Sequence, residues 1–294
     1  SPVITSDATF TAAENQTAVG TVIATDADED DVTLTVSGSV LEITPAGVLT
    51  FATAPDYETK SSYTATVTAS DGTNSTTQDI TVNVTNVNDN SPVITSDATF
   101  TAAENQTAIG TVTASDADGD TVVFSISGSE LEVSATGVIT FAAAPDYETK
   151  SSFNATITAT DGLYAVTQDI TVNVTNVNDN SPVITSDATF TAAENQTAIG
   201  TVTATDADGD DISYSISGDE IEISSTGVLT FISAPDYETK TSYTATITVS
   251  DGTNSSKQAI SVTITNDESD DAISGIVLPQ SVQLVETQGE SSES

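Results

Sequence analysis

The chain has 294 residues, with four lysines and no arginine against 44 aspartates and glutamates, for a formal net charge of −40. Nothing in such a chain can neutralise phosphates, which excludes a general affinity for nucleic acid or an anionic membrane surface. It also lacks histidine and cysteine, which excludes disulfides, thiolate metal sites and the usual nucleophile–base constellations.

From its first residue the chain repeats with a period of 90. "SPVITSDATFTAAENQTA" stands at 1–18, 91–108 and 181–198, and "APDYETK" at 54–60, 144–150 and 234–240. Such identity indicates recent duplication, so sameness alone does not mark a residue as needed. The copies give boundaries at 1–90, 91–180 and 181–268, followed by a tail at 269–294. The chain opens in the second half of the phrase that separates the copies. We expect from this a mature or excised segment, secreted under a signal not contained in it.

In the second copy, runs rich in Val, Ile, Thr and Phe with a period of two predict strands in chain order. They lie at 92–95, 99–102, 109–114, 121–127, 131–134, 138–142, 153–159 and 166–176. "DADGD" at 116–120, "ATG" at 135–137, "APDYE" at 144–148 and "TDG" at 160–162 supply the turns between them. No segment keeps helical spacing over ten residues. The fold class is therefore all-β: three Greek-key sandwiches of the immunoglobulin-like kind in tandem. Very short linkers would make them an elongated rod.

Each copy carries acidic phrases. In the second they are Glu104-Asn105, Asp116-x-Asp118, Asp146-Tyr147-Glu148 and Asp161-Gly162, with "TNVNDNSP" between copies. Taken singly, D-x-D and "TDG" are ordinary turn chemistry. An EF-hand loop starting at Asp116 fails, because its sixth and twelfth places hold Thr121 and Ser127 instead of Gly and Glu. Taken together, the phrases supply many oxygens at the loop ends of adjoining sandwiches, and hard cations take six to eight such oxygens. Without a cation, like charges about 4 Å apart repel by roughly 1 kcal/mol per pair even in water. The residues thus point to a cation at each junction.

The same phrases resemble the cadherin repeat over nearly all of residues 1–270. "AENQTAIGTVTASDADGD" is similar to the family's acidic start and D-x-D loop, and "PDYETKSSFNATITATDG" to its D-x-E motif and the strand ending in A-x-D-G. "NVNDNSP" is similar to its linker. Low-lysine, Thr-rich, acidic composition suits the cadherin-like repeats of prokaryotic surface proteins. The resemblance implies up to about three Ca²⁺ per junction. At the first, the implied ligands are Glu14, Asp56, Glu58, Asn88, Asp89, Asn90, Asp116, Asp118 and Asp161. At the second they are Glu104, Asp146, Glu148, Asn178, Asp179, Asn180, Asp206, Asp208 and Asp251, with Asn90 and Asn180 acting through their carbonyls. Asn86 and Asn176 stand where the family commonly has Asp. After the third copy, "TNDESDD" places Asp267, Glu268 and Ser269 where the linker should continue.

The expected function is a calcium-rigidified extracellular rod, as an adhesin stalk or a surface-filament subunit joined head to tail. The half-sites for joining would be Asp26, Asp28 and Asp71 at one end and Glu194, Asp236 and Glu238 at the other. A second reading is a calcium-dependent carbohydrate-binding or cell–cell recognition module, for which Tyr164 with Leu163, present only in the second copy, is the sole candidate surface. Tyr57, Tyr147 and Tyr237 read as packing beneath the acidic loops rather than as sugar platforms. The sequons at Asn15, Asn74, Asn83, Asn105, Asn154, Asn173, Asn195 and Asn254 permit glycosylation in a chain rich in threonine. Lys60, Lys150 and Lys240 read as solvated ion pairs. Carboxylates in repeated end loops without an aromatic cleft do not make a glycosidase, so no enzyme is expected. Alternating apolar positions at 273–288 suggest a strand that folds back or is donated to another molecule.

Overall fold

The structure is a computed structural model that describes residues 1–269; the segment 273–288 expected to supply a donor strand lies outside the described residues. Every regular element among the described residues is a strand, and none is a helix long and apolar enough to cross a membrane. The first copy contains β1 (Val3–Ile4), β2 (Thr9–Ala13), β3 (Ala18–Thr21), β4 (Ala24–Thr25) and β5 (Thr33–Val36). It continues with β6 (Leu41–Ile43), β7 (Val48–Phe51), β8 (Ser62–Ser70) and β9 (Ser75–Thr85). All nine recur 90 residues on as β10–β18 and again as β19–β27.

Within the first copy the strands form a four-stranded sheet, β2-β9-β8-β5, and a three-stranded sheet, β3-β7-β6, with β1 paired to β4. The long hairpin of β8 and β9 is in continuous register from Ser62↔Asn83 to Ser70↔Ser75. Alternation drives the layering. In β9 the side chains of Ile80, Val82 and Val84 point inward, while Thr81, Asn83 and Thr85 point away. Each copy closes its own buried cluster, built in the first around Leu49, Phe51, Val67, Ile80 and Val82. Burying a side chain of this size stabilises by about 1.5–3 kcal/mol. The all-β, three-sandwich class read from the sequence is the observed one.

Two features were not expected. The run at 109–114 divides into β12 (Ala108–Thr111) and β13 (Ala114–Ser115). The first half pairs with β16 (Val138–Phe141) through a register shift at Ala108/Gly110, and the second pairs with β10 (Val93–Ile94). The chain thus passes from one sheet to another within six residues. The other feature is that β2 runs parallel to β9, from Thr9↔Thr81 to Ala13↔Thr85. This pairing sets Glu14, the next residue, beside the end of β9 and the linker.

The turn at Gly47 shows how tightly the sheets close. Its φ is +83°, and a Cβ there would lie 2.1 Å from the Val22 carbonyl oxygen, which only glycine avoids. The chain divides between Asn176 and Val177 into two compact units. The first contains β1–β18, that is, two sandwiches and the linker between them; the second contains β19–β27.

Candidate metal centre

Within the first unit the base of one sandwich meets the loops of the next around residues 85–90. Glu14 organises the upper side. It is only 3% exposed, and its two carboxylate oxygens accept the main-chain N–H of Tyr57 at 2.8 Å and of Val87 at 2.7 Å. One buried carboxylate thus ties the D-x-E turn and the linker to the same sandwich. Asn15, left-handed at φ 62°, donates its side-chain amide to Asp89 Oδ2.

The lower side is organised by the D-x-D loop. Asp118 Oδ2 accepts the main-chain N–H of Asp89 at 3.0 Å and of Asn90 at 2.9 Å. Asn90 Nδ2 donates to Asp118 Oδ1 at 2.9 Å and to Asp89 Oδ1 at 2.7 Å. Asn86 Nδ2 donates to the Asp118 carbonyl oxygen at 2.6 Å, a bond that the family's usual aspartate could not make. Asp116 Oδ1 accepts the N–H of Asp118 and of Asp120, and Asp161 Oδ1 accepts those of Leu163 and Tyr164 at 2.7 Å each.

Glu14, Glu58, Asp89 and Asp118 each bring a carboxylate oxygen within 4.8 Å of the others. The electrostatics match this crowding. Desolvation, and then the charges of Glu14, Asp118 and Asp56, hold the Glu58 carboxyl above its usual range against a main-chain hydrogen bond. Asp118 is held below its usual range, chiefly by the Asn90 side chain and then by main-chain N–H groups and the Glu58 carboxyl. The two carboxyls are thus pushed in opposite directions, as expected of acids crowded at one site.

The other half of the cluster has oxygens that no donor meets in hydrogen-bonding geometry. Asn88 Oδ1, Asp116 Oδ2 and Asp161 Oδ2 are buried and accept no hydrogen bond. Buried polar atoms left this way are rare and costly. Desolvation pushes Asp161 up, but the N–H groups of Tyr164 and Leu163 and the Asn88 amide bring it below the usual carboxylate range. The donors in reach are exclusively oxygen, the set that hard divalent cations take and soft metals do not. The residues fit a calcium-type ion.

In the second unit, Asp206 Oδ2 and Asp251 Oδ2 are likewise buried without a hydrogen-bond partner. Asp208 Oδ2 accepts the N–H of Asp179 at 3.1 Å and of Asn180 at 2.8 Å. Desolvation and the charges of Asp206, Asp208, Asp251 and Asp211 push the Asp210 carboxyl up. Glu194, 4% exposed, accepts Tyr237 N–H at 2.8 Å and Asp267 N–H at 2.5 Å, and it groups with Asp236 and Glu238.

The sequence of the chain matches the bacterial Ig domain family over residues 88–175 and 178–265. The chain belongs to that family. Its repeats are also cadherin-like. Mouse protocadherin Fat 4 is 39% identical over 140 residues, which covers 42% of this chain and 3% of that protein. Human protocadherin-15 is 30% identical over 226 residues, covering 69% of this chain and 12% of that protein. The chain thus spans a small fraction of these relatives' length. Among solved structures, mouse cadherin-23 EC22-24 superposes with a TM-score of 0.67 at 20% identity, covering 91% of this chain and 99% of that one. Protocadherin gamma B2 extracellular cadherin domains 3-6 give 0.63 at 24% identity, covering 91% and 74%. These likenesses establish the cadherin-type sandwich.

Set against the sequence-derived ligands, the first unit brings Glu14, Glu58, Asn88, Asp89, Asn90, Asp116, Asp118 and Asp161 to one region of the fold. Asp56 behaves differently: its two oxygens accept Thr59 N–H and Thr59 Oγ1–H, each at 3.0 Å, as the cap of its own turn. Asp146 and Asp236 do the same with Thr149 and Thr239. Of the second implied set, Glu104, Asp146 and Glu148 lie in the first unit and the other six in the second. Glu104, 4% exposed, repeats the Glu14 contact by accepting Tyr147 N–H at 2.7 Å. Sequence reasoning passed over Asp120, whose carboxylate groups with Asp116 and Asp118. The fifth position of "DADGD" was the available signal. Tyr57, Tyr147 and Tyr237 pack against the three cores, whereas Leu163 is 67% and Tyr164 37% exposed.

Proposed function

We propose that the chain is a calcium-rigidified, extracellular structural or adhesion element, a stalk of cadherin-like modules at 1–90, 91–180 and 181–268. The observation that carries this reading is the set of buried, unpartnered oxygens on Asn88, Asp116 and Asp161. Three acceptors that accept no hydrogen bond suit a ligand that is itself positive, and the upward push that neighbouring acids exert on Glu58 is a second mark of the same deficit. The ion would supply the charge that lets the carboxylates approach without repulsion. Glu14, Glu58, Asn88, Asp89, Asn90, Asp116, Asp118, Asp120 and Asp161 would hold it at the first junction. Asp56 contributes as the cap that fixes Glu58. Glu104, Glu148, Asn178, Asp179, Asn180, Asp206, Asp208, Asp210 and Asp251 are the corresponding residues 90 positions on, with Asp146 in the place of the Asp56 cap. Affinity would be modest, on the order of 10⁻⁴–10⁻³ M, as for extracellular modules.

No step of catalysis is assigned to these carboxylates. The acidic groups at the two ends, Asp26, Asp28 and Asp30 in the first copy and Glu194, Asp236 and Glu238 in the third, suit head-to-tail contact between chains of a prokaryotic surface filament. Small-angle scattering with calcium and then with chelator tests the stiffening. The reading requires a longer, narrower distance distribution with calcium, and Asp89→Ala should shorten it while leaving the β-type circular dichroism unchanged. Superimposable curves in the two conditions would end it.

A further inference from the structure

The two linkers have one sequence, "TNVNDN" at 85–90 and 175–180, but their oxygens do not meet the same neighbours. In the second unit Asn254 Nδ2 lies 3.0 Å from Asn178 Oδ1 and 3.2 Å from the Asn180 carbonyl oxygen. A single amide nitrogen thus bridges two half-buried linker oxygens that the proposed calcium set would use. In the first unit the matching position is Tyr164, which carries no amide, and there Asn88 Oδ1 is buried with no hydrogen-bond partner. The main-chain turns of the two loops are alike. Asn254 N–H donates to Asp251 Oδ1 at 2.6 Å, as Tyr164 N–H donates to Asp161 Oδ1 at 2.7 Å. The side chains differ, Leu163 and Tyr164 standing where Thr253 and Asn254 do, and of the four only Asn254 carries a side-chain amide.

We propose that residue 254 sets calcium affinity: the Asn254 amide competes with the cation for the Asn178 and Asn180 oxygens, so the ligands of the third module fill at higher calcium than those of the second. This rests on the calcium reading above. The bridging amide must be displaced before those oxygens can turn to an ion, whereas Asn88 Oδ1 has nothing to give up. Two near-identical linkers would then respond over two concentration ranges, and the chain would stiffen in steps.

Calorimetric titration of the full chain with calcium, after stripping with chelator, tests this. Two classes of site are expected, about fivefold apart, the factor that one net hydrogen bond of ordinary strength represents. Asn254→Ala and Asn254→Tyr should each tighten the weaker class to within about twofold of the other, and Tyr164→Asn should weaken the tighter class about fivefold. In chelator, ¹⁵N spectra should show the Asn254 side-chain amide protected from solvent exchange, a readout that needs no metal. Two classes that neither Asn254 variant changes, or an unprotected Asn254 amide, would overturn the proposal and leave the calcium reading standing. Absence of any calcium-dependent heat, with the amide protected, would overturn the calcium reading and the competition with it.

Discussion

Glu14→Gln isolates what the buried glutamate does when no metal is present. Both of its oxygens are engaged, one by Tyr57 N–H at 2.8 Å and one by Val87 N–H at 2.7 Å, at a site 3% exposed. Glutamine keeps one acceptor and replaces the other with an NH₂ group. One main-chain N–H then loses a charged acceptor and faces a donor. Hydrogen bonds to charged groups contribute about 1.5–3 kcal/mol each, so the first module should lose about 2 kcal/mol. For a domain of this size 1 kcal/mol corresponds to about 4–8 °C, which places the expected fall at about 8–16 °C.

The assay is scanning calorimetry of the whole chain in chelator. Glu194 keeps its bonds to Tyr237 and Asp267, and Glu104 its bond to Tyr147, so the second and third modules serve as internal references. Roughly one third of the unfolding heat should move to lower temperature, since one of three modules is altered. If the endotherm does not move in chelator, Glu14 is not holding the linker through those bonds. If all of it moves, the modules do not unfold independently. Either result would refute the reasoning.

Two further outcomes follow from local geometry. Glu29 sits at φ +64°, where the second and third copies have Gly119 and Gly209 at φ +80° and +81°; Glu29→Gly should stabilise the first module by about 1 kcal/mol, read as a rise in its calorimetric transition. For pH the sign comes from Glu58, whose carboxyl is held above its usual range by desolvation and neighbouring acids. Without calcium it favours the folded junction at lower pH, a contribution lost as pH rises through the raised value. Asp118 and Asp161, held below their usual range, contribute stability above the ordinary carboxylate value, lost as pH falls through theirs. Because a bound cation would favour the charged form of Glu58, calcium affinity should fall as pH drops into the carboxylate range, with proton release there detectable by titration in buffers of different ionisation enthalpy.

Period-two alternation placed the strands of each copy to within a few residues, because each side of a sandwich strand faces either core or water. It could not show that the run at 109–114 serves two sheets, since Ile109, Val112 and Ala114 are apolar for both partners. Nor could it show the parallel pairing of β2 with β9, which is a matter of topology. In the site, the carboxylates were legible as types at fixed spacing. The amides were not. Asn90 was expected to act through its carbonyl and Asn86 to stand where an aspartate is usual; the structure shows in addition that the side-chain nitrogens of Asn15, Asn86 and Asn90 face Asp89 and Asp118. Which end of an amide meets a neighbour depends on how two modules approach, and no local pattern encodes that. Nor did the spacing show that the D-x-x-T context of Asp56 is a turn cap, in which both carboxylate oxygens accept hydrogen bonds from Thr59.

The first linker is fastened at both ends by bonds that need no cation. Val87 N–H is held by Glu14 of the upper sandwich, and Asp89 and Asn90 N–H by Asp118 of the lower one. On the calcium reading, chelation would leave these intact, so the backbone path through 87–90 should persist. What removal frees is the charge on the side chains that have no other partner for their outer oxygens, Asp116 and Asp161 foremost, together with Glu58. Their repulsion acts between the loop end of one sandwich and the base of the next, where it can open an angle but not unfold a core. Chelation should therefore widen the range of orientations at residues 85–90 while the buried clusters around Leu49 and Ile139 melt as separate, intact modules. On the calcium reading the ion would govern stiffness, while the buried glutamates would govern whether there is a junction to stiffen.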